Sequence, residues 1–224
     1  MNNIKTFENF NNQDIFTYIE NNDIKSVKNY INSGYDLDKQ NNDGITTIIY
    51  SIFYNRIKII ELLLNAGANP NKQDNNGNTA LIKAAFYNKI KIVKLLLDAG
   101  ADIDKQNNKG NTVLISAAFY NRIEIVKFLL NSGADIDKQN NDGSTALMFV
   151  ASINNREMIE LLLDYYADEF ILNDDNKSFY NYLNDENKEY FLQNYPTSVY
   201  KAIYHNYKKS FTEFIKDYNI KNNK

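Results

Sequence analysis

The chain has 224 residues, with 28 acidic against 25 basic side chains for a net charge of -3, and it has no cysteine. A balance this close to neutral exerts no global pull towards nucleic acid or an anionic membrane, and the missing thiols exclude disulfides, thiolate metal sites and thiol catalysis. The opening run Met1–Phe7 has no signal-peptide core and no apolar run reaches the ~18 residues of a membrane span, so the default expectation is a cytoplasmic protein.

All eight glycines fall on two combs with a period of 33 residues: Gly34, Gly67, Gly100 and Gly133, and Gly44, Gly77, Gly110 and Gly143. Glycine marks backbone that turns where other residues are strained. Two turns at fixed phase mean one supersecondary unit copied in tandem, the signature of a stacked array. In chain order, a weaker copy, recognisable from Asp23-Ile24-Lys25 to Lys39-Gln40-Asn41, makes 1–41 an N-terminal capping repeat. Four full copies follow at 42–74, 75–107, 108–140 and 141–173.

The copy from Asn75 shows how the unit is built. Asp74-Asn75-Asn76-Gly77 is turn chemistry. Thr79 is a helix N-cap, and Ala84 and Ala85 suit close packing of that helix. Phe86-Tyr87-Asn88-Lys89 ends it, with Asn88 able to adopt a left-handed backbone. Ile90, Val93, Leu96 and Leu97 predict the apolar stripe of a second helix, and Gly100 falls just past its end. After the fourth copy, Asn176 stands where a glycine is due, and 174–195 reads as a worn final repeat, with a first helix over 178–183 and a second over 185–194. Pro196 breaks the pattern. Tyr200, Ile203, Tyr204, Tyr207, Phe211, Phe214, Ile215 and Tyr218 then predict an amphipathic helix within 196–224. That helix reads either as a cap over the last repeat or as a second docking surface.

These motifs, G-x-T-x-L-x-x-A-A followed by I-V-x-x-L-L-x-x-G-A-D, resemble the ankyrin repeat, and the resemblance spans roughly residues 9–173. It implies an all-α ankyrin-repeat solenoid with a helical C-terminal cap. The family's T-P-L-H is Thr46-Thr47-Ile48-Ile49, Thr79-Ala80-Leu81-Ile82, Thr112-Val113-Leu114-Ile115 and Thr145-Ala146-Leu147-Met148 here, so the proline that starts the helix and the histidine that ties neighbouring turns are both replaced.

The resemblance also implies that a protein partner is gripped by the turn tips and by the concave face lined by the first helices. Carried onto this chain, the tips are Asn42, Asp43 and Ile45; Asn75, Asn76 and Asn78; Asn108, Lys109 and Asn111; and Asn141, Asp142 and Ser144. The concave positions are Tyr50, Lys83, Ser116 and Phe149, which vary in chemistry at one phase as selection for a partner would produce. Phe53-Tyr54, Phe86-Tyr87 and Phe119-Tyr120 repeat without variation, so these aromatics either form an exposed ladder or pack repeat against repeat. Tyr54, Tyr87 and Tyr120 are the binding candidates among them.

Catalytic chemistry finds little support. His205 is the single histidine and has no nucleophile or carboxylate arranged about it. Asp102/Asp104 and Asp135/Asp137 sit at a loop phase where another copy has Asn69/Asn71, so they read as solvated loop rather than metal ligands. No phosphate-binding glycine loop is present. Lys58, Lys91, Glu124 and Glu157 share one phase of the second helix and read as a solvated face. The expectation is a monomeric, non-catalytic protein-binding module with no cofactor, metal, nucleic acid or membrane partner. The alternatives are an adaptor that recruits a second protein through the C-terminal helix and, less favoured, an enzyme.

Overall fold

The computed structural model describes residues 14–195. The expected C-terminal helix, Pro196 and His205, together with residues 1–13, lie outside the described residues. The chain divides into two compact units, one through Asn108 and one from Lys109.

Among the described residues of the first unit the helices come in pairs: α1 (Ile15–Glu20) with α2 (Ile24–Asn32), α3 (Thr47–Phe53) with α4 (Ile57–Asn65), and α5 (Ala80–Phe86) with α6 (Ile90–Asp98). First helices pack on first helices, α1 on α3 and α3 on α5, and α2 packs on α4. The second unit repeats the plan with α7 (Val113–Phe119) and α8 (Ile123–Asn131), then α9 (Ala146–Ser152) and α10 (Arg156–Asp164), where α7 packs on α9.

The caps explain why these segments are helices of these lengths. Thr46, Thr79, Thr112 and Thr145 each accept the backbone N–H three residues on, from Ile49, Ile82, Ile115 and Met148. The helix starts therefore hold by threonine capping, without the family's proline. Asn55, Asn88, Asn121 and Asn154 all have positive φ and close the first helices. After Asn88, for example, Lys89 N–H bonds Ala84 O at 2.8 Å. Gly100 closes α6 in the same way, with Ala101 N–H on Leu96 O at 2.9 Å. This six-to-one closure satisfies carbonyls that a helix end would otherwise leave open.

The first helices are buried almost all round: Ala80, Leu81, Ile82, Ala84 and Ala85 are buried, and Lys83 and Phe86 point outward. The stripe of the second helix is shifted from the expected one. Ile92, Val93 and Leu96 are fully buried, whereas Ile90 and Leu97 are half-buried. The i, i+1, i+4 set centres on the flank packed against its own first helix, α5. Ile59, Ile60 and Leu63 do the same in α4.

The segment expected as a worn final repeat, 174–195, differs from the copies before it in its first helix. Residues 178–183 yield only a 3₁₀ turn, Phe179–Tyr182, on which α9 packs, before α11 (Asp185–Asn194) begins. In the copy before, the caps Thr145 and Asn155 are ten positions apart; here Ser178 and Asn184 are six apart, which removes about one helical turn. Phe179 and Phe191 fill this end of the core, edge to face at 6.3 Å.

Candidate protein-binding surface

Four turn tips are each organised by one side chain. Asn41 Oδ1 accepts the N–H groups of Asp43 at 3.0 Å and Ile45 at 2.9 Å. Asp74 does the same for Asn76 and Asn78, Asn140 for Asp142 and Ser144, and Asn173 for Asp175 and Lys177. Among the tip candidates Asn42, Asp43, Asn75, Asn76, Asn108, Lys109, Asn141 and Asp142 are exposed, with Ile45, Asn78, Asn111 and Ser144 half-buried.

Several tip candidates also hold the scaffold. Asn75 Nδ2 donates to Asp43 O at 3.1 Å, and Asn108 Nδ2 donates to Asn75 O at 3.0 Å. A second tie was not foreseen from the sequence. Gln40 Nε2 donates both to Gly44 O within its own tip, at 2.7 Å, and to Gln73 O of the next, at 3.0 Å. Gln73 bridges Gly77 O and Gln106 O, and Gln139 bridges Gly143 O and Leu172 O. The tie between turns that the family builds from histidine is built here from glutamine amides, while the old histidine positions Ile49, Ile82, Ile115 and Met148 are buried and apolar. The visible signal was Lys-Gln-Asn/Asp recurring at one phase.

The Asp-x-Asp pairs are structural too. Asp102 accepts the N–H of Asp104, and Asp135 that of Asp137. The second residue of such a pair then reaches the next repeat: Asp38 accepts Asn69 N–H at 2.8 Å, Asn71 accepts Asp102 N–H at 2.7 Å and Asp137 accepts Asp168 N–H at 2.9 Å. Burial pushes the Asp137 carboxyl upward against that hydrogen bond. Asparagine serves as well as aspartate in this role, which explains their exchange. Among the described residues no acidic or histidine cluster could hold a metal ion.

Tyr50, Lys83, Ser116 and Phe149 are all half-buried on the outward side of the first helices. Lys83 is committed internally: its ammonium lies 3.2 Å from the Asp74 carboxylate, which is only 4% exposed. The aromatics are both exposed and packed. Phe53 is 60% exposed, and Phe86, Tyr87, Phe119 and Tyr120 are exposed as well. In the first unit the Phe53 ring meets Tyr87 edge-on at 6.1 Å, and Tyr50 packs on Phe16 at 5.1 Å and Tyr54 at 5.0 Å. In the second, Phe119 meets Phe149 at 6.1 Å. The phenylalanines thus stand on the surface with the tyrosines that sequence reasoning preferred. Tyr54 is the most tied-down of them. Its hydroxyl donates to Glu20 at 3.1 Å, and hydrogen bonding with Tyr50, loss of hydration and the Glu20 bond push its pKa to about 12.

One cleft lies along this surface. It has a volume of about 120 Å³ and is lined by Ile45, Ile49, Tyr50, Phe53, Lys83 and Tyr87. A further residue escaped the sequence reading. Position 166 continues the first glycine comb but holds tyrosine, with φ +64° and 90% exposure.

Helix pairs recurring at a fixed period, closed by left-handed residues and tied by turn side chains within each unit, define an all-α tandem-repeat protein. The chain belongs to the ankyrin-repeat family: a family model described as ankyrin repeats (3 copies) matches residues 15–107, and one described as ankyrin repeats (many copies) matches residues 116–163. Ankyrin repeats are generally protein–protein interaction modules and typically non-catalytic. Comparison with curated proteins gave no match. Among the described residues no helix is long and apolar enough to cross a membrane.

Proposed function

We propose that this protein is a non-catalytic recognition module that holds a protein partner on its turn tips and the outward side of its first helices, with the repeats 42–74, 75–107, 108–140 and 141–173 as its reading units. The observation that carries this reading is the recurrence of exposed rings in both units. A large apolar side chain left in water is informative when it recurs, and here Phe53, Phe86 and Tyr87, then Phe119 and Tyr120, recur at one phase. Aromatics on a rigid scaffold lose little entropy on contact and dominate interface energetics. The surrounding tips offer backbone and amide groups for a polar rim.

The test is capture from the source cell followed by affinity measurement with the captured protein. Phe53→Ser combined with Tyr87→Ser, and separately Phe119→Ser with Tyr120→Ser, are compared with wild type after circular dichroism shows unchanged helix content. Loss of about tenfold or more in affinity in either variant is expected. Equal affinity in all three proteins means that the rings are scaffold and the reading fails.

A further inference from the structure

We propose that the cleft between the 42–74 and 75–107 repeats is a socket for one aromatic side chain of the partner, flanked in the partner by a carboxylate that Lys83 receives. This deepens the function proposed above and rests on it.

The walls are preformed. Tyr50 is held between Phe16 and Tyr54, and Phe53 and Tyr87 brace each other edge to face, so the rings are already placed before anything enters. The volume of about 120 Å³ is the size of a single ring or short branched side chain. Ring walls favour a ring as the guest, through edge-to-face contact.

Charge selects the guest further. Lys83 is the only charged residue of the lining. Its counter-ion Asp74 lies beneath, outside the lining, and already accepts the N–H groups of Asn76 and Asn78. An ammonium has three donors, and Asp74 takes one. The mouth of the cleft therefore carries an ammonium with donors to spare, its counter-ion Asp74 holding it from beneath and no acidic group in the lining itself, a complement to an acidic group beside the guest ring.

The same chain supplies an internal control for why the socket is here. In the next two copies the turn residue is asparagine and donates to its neighbour: Asn107 Nδ2 bonds Asn78 Oδ1 at 3.0 Å, and Asn140 Nδ2 bonds Asn111 Oδ1 at 3.2 Å. At the first of these three sites the donor is replaced by Asp74, which has no hydrogen to give. Its partner position is Ile45, and the charge is balanced by Lys83. Three coupled replacements convert a polar tie into an apolar wall with a cation at its rim. The corresponding residues of the second unit are Asn111, Ile115, Ser116, Phe119, Phe149 and Ile153, with no cation among them.

The test is an amide-detected NMR titration of the full chain with 3-phenylpropionate and, separately, with the neutral 3-phenylpropanamide. Millimolar binding of the carboxylate is expected, with shifts centred on Ile45, Tyr50, Phe53 and Tyr87. The amide should bind about fivefold more weakly, and the gap should narrow at high salt. Ile45→Asn restores the residue type of the other copies without substituting Asp74 or Lys83, so it should weaken both probes several-fold. Equal binding of the two probes, no binding by the carboxylate, or shifts that Ile45→Asn leaves untouched would each overturn the proposal. So would concentration-dependent shifts of the same amides in the protein alone, which would make a second copy the occupant. A failed titration beside a partner still lost in the Phe53/Tyr87 variant sinks the socket and leaves the binding face standing.

Discussion

At the scale of single residues, the two glycine combs do different work. Gly67 and Gly77 both have positive φ, +94° and +73°. A Cβ at Gly67 meets nothing within 4 Å, whereas one at Gly77 would sit 2.5 Å from the backbone nitrogen of Asn108 in the neighbouring turn. Gly67→Ala should cost only the left-handed backbone penalty, about 1–2 kcal/mol, and Gly77→Ala clearly more, because the neighbouring turn must move. Urea midpoints read this directly, and equal losses would show that the turns are not in contact. Tyr166 reverses the experiment. It closes α10 with the same bonds that Gly100 uses for α6, Tyr166 N–H on Leu163 O at 2.9 Å and Ala167 N–H on Leu162 O at 3.0 Å. It does so with a bulky side chain at φ +64°. Tyr166→Gly removes that strain but frees the unfolded chain, so the net gain should be about 0.5–1 kcal/mol, seen as a higher urea midpoint.

At the scale of elements, most of each repeat was legible. Thr79, Asn88 and Gly100 were read as start, break and stop, and all three act so, because capping and left-handed backbone are local properties that residue type alone constrains. The second-helix stripe was misplaced by a residue or two, since Ile90-Lys91-Ile92-Val93 offers two overlapping apolar rows and only the neighbouring helix decides between them. The side chains that bind repeat to repeat were not legible, because Gln73 and Asn71 look like any polar loop residue until the next turn is in place. Gln73 offers the sharpest check. Its single amide nitrogen donates to two carbonyls, Gly77 O and Gln106 O. Gln73→Ala should cost about 1–2 kcal/mol by leaving them unpaired. Gln73→Glu should cost more at neutral pH, since an ionised carboxylate only accepts and would face the same carbonyls. Those carbonyls raise the folded-state pKa of such a glutamate above its unfolded value. Its penalty relative to alanine should therefore shrink as pH falls through that folded pKa, and a pH-independent difference between the two variants would refute the bridging role.

At the scale of the whole molecule, the period dictates how stability is distributed. The binding face was legible as a set of phases but not as a geometry. Tyr50 and Lys83 share one phase of the repeat and Phe53 stands at another, yet all three line one cleft because the first helices α3 and α5 lie side by side. That adjacency also limits how far any one residue acts, since each repeat touches only its neighbours and the array approximates a chain of coupled units rather than a single core. Leu96 is fully buried in α6. Leu96→Ala should cost about 2–5 kcal/mol if the cavity does not collapse. In a single cooperative core, hydrogen exchange would quicken everywhere by the same factor. In a nearest-neighbour array it should quicken most in α5 and α6, less in α3 and α4, and least in α1 and α2. A graded profile across the first unit is the expected result. A uniform one would mean that the helix pairs of this unit fold as one block, and that substitutions at the cleft would be felt at α1 as strongly as at α5.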